Sequence, residues 1–393
     1  MLLMVGKSKK AGIVTLYHNN YNFGGLLQAY ALPVALERYL GISAEQIDYI
    51  FKSQEQPKTK NTISLTNIIY YIGYVFFSKL EKKNLQKREK AFRQFIKFIP
   101  HSKYSYEYDT ISESLEIYTE FICGGDQIWN DCQQIDWYRN EDSDVFTLQF
   151  VPESVKKISY APSMAFLKLT DEYKKDFQKG INRLDAISLR ERRALPVLQE
   201  LTDKPLTVTV DPVLLLEKND WMEVMRCPQI GKKYILCYLL GDSMAQRKAV
   251  KIFSSRTKCK TVTFPHILKN AVRKCDLFFG DIHDYTSGPR EFIGLIKNAE
   301  FVITDSFHAC VFSMIFQKPF VVFERNKIGE KGNMNSRIYD FLEEYHLENQ
   351  LVTEKKLEDM NKIPEIDFTY AHEHWKKRRE ESLEYLENAL KNN

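Results

Sequence analysis

The stretch 299–323, AEFVITDSFHACVFSMIFQKPFVVF, constrains this chain more than any other. Phe301, Val302 and Ile303 form a short β-branched and aromatic run, and Thr304, Asp305 and Ser306 are helix N-cap residue types. Val311, Met314 and Ile315 then recur at helical spacing, Pro319 ends the helix, and 320–323 resume a strand. Strand, turn, helix and strand in that order make a βαβ unit, which places the chain in the α/β class with parallel strands. The turn of such a unit lies at the carboxyl end of a strand, where the free N–H groups of the helix N-terminus attract anions. His308 sits in that first turn, a titratable side chain at an anion-seeking position.

The same grammar recurs along the chain. A strand over 13–16 runs into a polar turn holding His18, Asn19, Asn20, Asn22, Gly24 and Gly25, then into a helix ending near Gly41, and the next strand falls at 47–50. Two adjacent glycines let a backbone approach a ligand closely, but the spacing is neither GxGxxG nor a phosphate loop with its lysine. Phe121, Ile122 and Cys123 form a buried strand ending in Gly124, Gly125 and Asp126, where Asp126 suits a helix cap and a ligand contact equally, and Trp129 suits a core anchor. In DAISLRERR, Arg190 ends a strand over 186–189 and its planar fork suits a carboxylate or phosphate, while Arg192 and Arg193 are expected to face water. A strand over 208–210 and Asp211-Pro212 close this half. The second half opens on the apolar strand YILCYLLG at 234–241, followed by helices expected over 244–257, 288–298, 332–350 and 371–390.

Composition narrows the function classes. At 393 residues with 44% hydrophobic content the chain is long enough for two domains, and its 56 basic and 52 acidic residues are too nearly balanced to argue for nucleic acid. Seven scattered cysteines without a CxxC pair or zinc spacing read as reduced thiols, so a cytoplasmic setting and no metal are expected. The apolar run 63–77, ISLTNIIYYIGYVFF, is too short to span a bilayer with ease and is followed by a basic helix over 82–97. A partly buried helix pair is the plainer reading of this insert, and peripheral contact with the inner membrane face is the functional one.

Five motifs in order, NYNFGGLLQAYAL, FICGGDQIWN, ISLRERRAL, VDPVLLL and ITDSFHACVFSMIFQKPFVVF, resemble those of the polysaccharide pyruvyl transferases and together span most of residues 12–323. The resemblance implies a GT-B-like architecture, with two Rossmann-like domains whose parallel sheets face each other across a cleft. On this division residues 1–215 form the first domain with a helical insert at about 60–100, residues 230–350 the second, and 365–393 a helix packing back on the first. It also implies transfer of pyruvate from phosphoenolpyruvate onto a hexose of a surface or capsular polysaccharide precursor as a cyclic ketal, with release of phosphate and no cofactor. Many members have Arg-Leu-His where this chain has Ser306-Phe307-His308, so the histidine is kept and the arginine is absent.

Carried over residue by residue, the resemblance assigns catalysis to His308 and Arg190, and phosphoenolpyruvate binding to Arg190, Ser306, Phe307 and His308. Arg337, at another helix start, is the hypothesis for the missing charge. Asn22, Gly24, Gln28 and Asp126 go to the acceptor side. Galactose is the acceptor most often implied, and the aromatic run at 63–77 leans toward a lipid-linked one. Two other functions share these features: a GT-B glycosyltransferase using a nucleotide sugar, and a non-catalytic glycan-binding relative. The sequence does not indicate an oligomeric state.

Overall fold

The computed structural model describes residues 9–391 apart from 19, 52–82, 132–139, 165–167, 266, 269–270, 277 and 326–334. The apolar run at 63–77 lies outside the described residues.

The chain opens with β1 (Ala11–Val14), α1 (Phe23–Leu40) and β2 (Ala44–Tyr49), followed by a helix α2 over 83–96 and β3 (His101–Tyr106). Next come β4 (Glu120–Gly124), α3 (Asn140–Phe146), β5 (Lys156–Tyr160), α4 (Asp171–Ile181), β6 (Ile187–Leu189), α5 (Leu195–Gln199) and β7 (Leu206–Val208). Strands β3-β2-β1-β4-β5 form one parallel sheet. A parallel bridge from Ile158 to Ala186 continues it into the β6-β7 pair. The strand order reverses at β1, so ligands are expected above β1 and β4, where the loops diverge.

After α6 (Lys218–Val224) a second parallel sheet is built from β8 (Tyr234–Tyr238), α7 (Met244–Thr257) and β9 (Lys260–Thr263), then a small hairpin of β10 (Ile267–Leu268) and β11 (Ala271–Val272), and β12 (Ile282–His283). It is completed by α8 (Pro289–Asn298), β13 (Phe301–Thr304), α9 (Phe307–Ile315) and β14 (Phe320–Val322). Its order, β12-β9-β8-β13-β14, repeats that of the first sheet's core. Helices α10 (Ser336–Glu344), α11 (Glu354–Asp359) and α12 (Thr369–Lys391) follow.

Boundaries depart from the sequence expectations for local reasons. The first strand stops at Val14 rather than 16, because the Tyr17 N–H turns back onto the Thr15 carbonyl at 3.1 Å. The helix expected over 332–350 ends at Glu344, where His346 at φ 53° leaves the helical region. Strand β3, HSKYSY, was not anticipated. It exposes four of its six residues at the sheet edge, which hides the apolar alternation that marks a strand.

A continuous apolar cluster joins the two sheets through α1, α8 and α9. Phe23, the first residue of α1, stacks on Phe292 at 4.8 Å between ring centroids and meets Tyr238 edge-on at 5.7 Å. A helix following the first sheet's β1 thus begins in an aromatic set belonging to the second. The segment 211–216 between the sheets is buried, and its carbonyls accept from Trp221, Trp375 and Arg379, at 3.1, 2.8 and 2.7 Å. Helix α12 returns to the first sheet, where Tyr385 donates to the Ser159 carbonyl at 2.9 Å and Arg378 to the Val208 carbonyl at 2.8 Å.

Candidate active site

Carboxyl-end turns of both sheets converge on one cluster. From the first sheet, Arg190 follows β6 with its guanidinium ion-paired to Asp211 and its Nε 3.4 Å from Glu191. From the second, His308 lies in the first turn of α9 with Nε2 3.7 Å from Asp211 Oδ2, an ion-pair distance rather than a hydrogen bond. Asp211 therefore stands between the arginine of one sheet and the histidine of the other. It is fully buried and also caps the turn at Pro212, accepting from the Val213 N–H at 2.9 Å. Burial alone would push its carboxyl up, but the Arg190 guanidinium and His308 outweigh burial and hold it well below the usual carboxylate range. Burial likewise opposes the charge of Arg190, and Asp211 and Glu191 together outweigh it and hold the guanidinium above its ordinary value.

Phe307 takes part through its ring as well as its backbone. The Arg190 guanidinium carbon sits 4.7 Å from the ring centroid, a cation–π contact across the two sheets. The Ser306 N–H, by contrast, is already donated to Thr304 Oγ1 at 3.0 Å. Asp305 is not the cap that its position suggested. Its carboxylate accepts from the Leu240 and Gly241 N–H groups, at 2.7 and 2.6 Å, and ties the end of β8 to the turn after β13.

Arg337 enters at the start of α10 and is buried beside Arg190. Burial, and then the like charge of Arg190, push its guanidinium down to about 10, so it remains charged at neutral pH. Its terminal nitrogens face Gln127, whose amide oxygen accepts from both at 2.8 and 2.5 Å when the amide is oriented to satisfy its neighbours.

The acceptor-side candidates divide. Asn22 is exposed and caps α1, accepting from the Gly25 N–H at 3.2 Å. Gln28 is buried and donates to Thr15 Oγ1 at 3.1 Å and to the Gly25 carbonyl at 3.0 Å. Gly125, at φ 89°, leaves room for it, since a Cβ there would lie 1.8 Å from Gln28 Oε1. Gly24 is packed against His308, and a Cβ on it would lie 2.0 Å from Nδ1. Asp126 precedes no helix, so the cap reading fails; its charge acts on both Arg190 and Arg337. Trp129 is a core anchor, fully buried, with Nε1 donating to the Phe146 carbonyl at 3.1 Å.

Sequence reasoning missed three participants. Asp211 was visible only as an Asp-Pro ahead of an apolar run, and Glu191 only as one charge among four. Glu191 is 1% exposed and accepts from Ser163 and from the Met164 N–H, tying the turn after β5 to the end of β6. Gln127 carried no signal, because its partner Arg337 lies on α10, far away in the chain. Arg193 does not simply face water but is ion-paired to Asp340 and Glu343 of α10. Among the described residues no group of three or more His, Cys, Asp or Glu converges to hold a metal ion.

A family model described as polysaccharide pyruvyl transferase matches residues 22–327. The chain belongs to that family. The matched span runs from the Asn22 cap through Arg190, Asp211 and His308, and ends just beyond β14. No curated protein matches this transferase. Among solved structures it is similar to the UDP-N-acetylglucosamine 2-epimerase of Rickettsia bellii, with a TM-score of 0.52 and 10% identity over 97% of this chain and 96% of that one. It is also similar to the UDP-GlcNAc 2-epimerase of Methanocaldococcus jannaschii, with a TM-score of 0.50 and 11% identity over 92% of this chain and 98% of that one. At such identities the likeness is one of fold, and the transferase has the GT-B arrangement of two parallel sheets. Among the described residues no helix is long and apolar enough to cross a membrane.

Proposed function

We propose that this transferase moves pyruvate from phosphoenolpyruvate onto two hydroxyls of a hexose in a surface polysaccharide precursor, forming a cyclic ketal and releasing phosphate. The observation that carries the reading is the Arg190–Asp211–His308 cluster, in which a fixed guanidinium and a titratable imidazole from different sheets meet over one carboxylate. A carboxylate-bearing substrate needs the first, and an enol that must be protonated needs the second.

The two sugar oxygens bond to C2 of the enol, and the C2–O bond to phosphate breaks with its electron pair leaving on phosphate. Of the two hydroxyl protons, one ends on the methylene carbon and the other leaves with phosphate. Arg190, held in orientation by Asp211 and by the Phe307 ring, fixes the donor carboxylate. His308, with Asp211 close to Nε2, carries the proton between sugar hydroxyl and methylene carbon. Arg337 adds positive charge beside Arg190. Asp126, Gln28 and Asn22 border the acceptor side, and Gly24 keeps the His308 ring in place.

Galactose is the proposed sugar. A lipid-linked carrier at the inner membrane face is the proposed form of the acceptor, on the strength of the aromatic run 63–77 and its basic flank. The test is incubation with phosphoenolpyruvate and a panel of galactosides, glucosides and lipid-linked oligosaccharides, with mass detection of the pyruvyl ketal and assay of phosphate. Phosphate release without a ketal product, or stabilisation by nucleotide sugars and not by phosphoenolpyruvate, would sink the reading.

A further inference from the structure

We propose that Arg325 is the phosphate-binding cation of this site, holding the leaving phosphate while Arg190 holds the carboxylate of the donor; the inference rests on the donor reading above. Arg325 lies just past β14, at the carboxyl end of the strand beside β13. Its Nη2 donates to the Asp305 carbonyl at 3.0 Å, which puts the guanidinium on the turn that opens α9. Its Nε is buried and has no hydrogen-bond partner.

Charge balance separates the two arginines. Arg190 has the carboxylates of Asp211, Glu191 and Asp126 around it against one neighbouring guanidinium, that of Arg337, so its surroundings carry more negative than positive charge and are poorly suited to a dianion. Among the described residues the carboxylate ion-paired with Arg325 is that of Asp305, 4.0 Å from Nε, and both Asp305 oxygens already accept backbone N–H groups. The charge of Arg325 is thus the less neutralised of the two. Exposure points the same way. The Arg325 side chain is 21% exposed and that of Arg190 is 4% exposed, and a phosphate that must leave for water needs the more open contact.

Further donors line the same turn. The first N–H groups of α9 beyond Ser306, on Phe307 and His308, have no acceptor within the helix. His308 Nε2, in the first turn of α9, has no hydrogen-bond partner on a side chain more than nine-tenths buried, and Arg190 Nε, which belongs to the first sheet and meets the same Asp211, likewise has none. As the C2–O bond breaks, negative charge grows on the phosphate, and a guanidinium with this helix N-terminus meets it without reorganising.

The experiment compares wild type, Arg325→Gln and Arg325→Lys in thermal-shift titrations with inorganic phosphate and in steady-state transfer from phosphoenolpyruvate. Phosphate is expected to raise the melting temperature of wild type, less so of Arg325→Lys, and hardly at all of Arg325→Gln. KM for phosphoenolpyruvate is expected to rise at least about tenfold in Arg325→Gln, with KM for the acceptor unchanged. An Arg325→Gln protein that keeps both the phosphate shift and the wild-type KM overturns the proposal. If Arg325→Gln does not fold, Arg325→Lys decides: a phosphate shift and a KM equal to those of wild type overturn the proposal, and a weakened shift with a raised KM supports it. Wild type that binds phosphate through Arg325 but transfers no pyruvate overturns the donor reading alone.

Discussion

The carboxyl ends of the two sheets present opposite electrostatic designs. On the first sheet, Arg190 is buried with two carboxylates around it, while Asp126 adds further negative charge nearby. On the second, the start of α9 has His308, the free helix N–H groups and Arg325, and the local carboxylate Asp305 is engaged by backbone N–H groups. One edge is neutralised and buried, and the other is cationic and, at Arg325, more open. On the donor reading proposed above, the carboxylate of phosphoenolpyruvate meets the first edge and its phosphate the second.

Removing the cation of the neutralised edge breaks the contrast most severely. Arg190→Ala leaves Asp211 and Glu191 buried without their partner, so we expect transfer to be abolished and stability to fall by about 3–5 kcal/mol in chemical denaturation. Wild-type transfer by this variant would remove Arg190 from the chemistry. On the cationic edge, His308→Ala is expected to lower kcat by about 10²–10⁴-fold with a smaller loss of stability. A kcat within a few-fold of wild type would leave His308 as packing only.

Gly24→Ala tests whether the edges must touch. Its Cβ would lie 2.0 Å from His308 Nδ1, so the imidazole or α1 must shift, and overpacking of this kind costs about 1–3 kcal/mol. Reduced transfer with retained phosphate binding is the expected result, and a fully active, fully stable variant would show that the docking is loose.

The pH dependence of stability sharpens the role of Asp211. Its folded-state pKa lies below the ordinary value of 3.8, so its contribution is complete above that value and is lost as pH falls toward the folded-state pKa. The stability difference between wild type and Asp211→Asn, from urea denaturation, should be constant above about pH 5 and shrink below about pH 4. A difference independent of pH would place the effect in packing. The smallest change belongs to the rim. Arg193 is about one-third exposed, so Arg193→Ala should cost less than about 1 kcal/mol despite its two ion pairs with α10, and should leave transfer unchanged.

Much of this arrangement was legible in the sequence. The strand–turn–helix grammar at 299–323 and at the start of the chain located both edges, because buried parallel strands and glycine-bearing turns leave strong local patterns. The placement of Arg190 and His308 at these turns was legible for the same reason, since each ends or follows such a strand. Asp211 was not, because nothing local distinguishes a carboxylate that caps a turn from one that also faces a guanidinium and an imidazole. That the Ser306 N–H is taken by the Thr304 hydroxyl was not legible, because it depends on where a side chain turns. The edge strand β3 escaped because its exposed positions carry polar residues.

The sequence by itself determined the α/β class, the family and the turns that carry the candidate site, since these depend on periodicity and on residue types within a few positions of one another. Only the tertiary structure decided how charges are shared. Asp211 lies 21 positions from Arg190 and 97 from His308, and Gln127 lies 210 from Arg337. No local rule pairs residues so far apart. Their pairing depends on how α1 and the buried segment 211–216 pack the two sheets together, and burial then makes each pairing strong enough to set the charge on each edge.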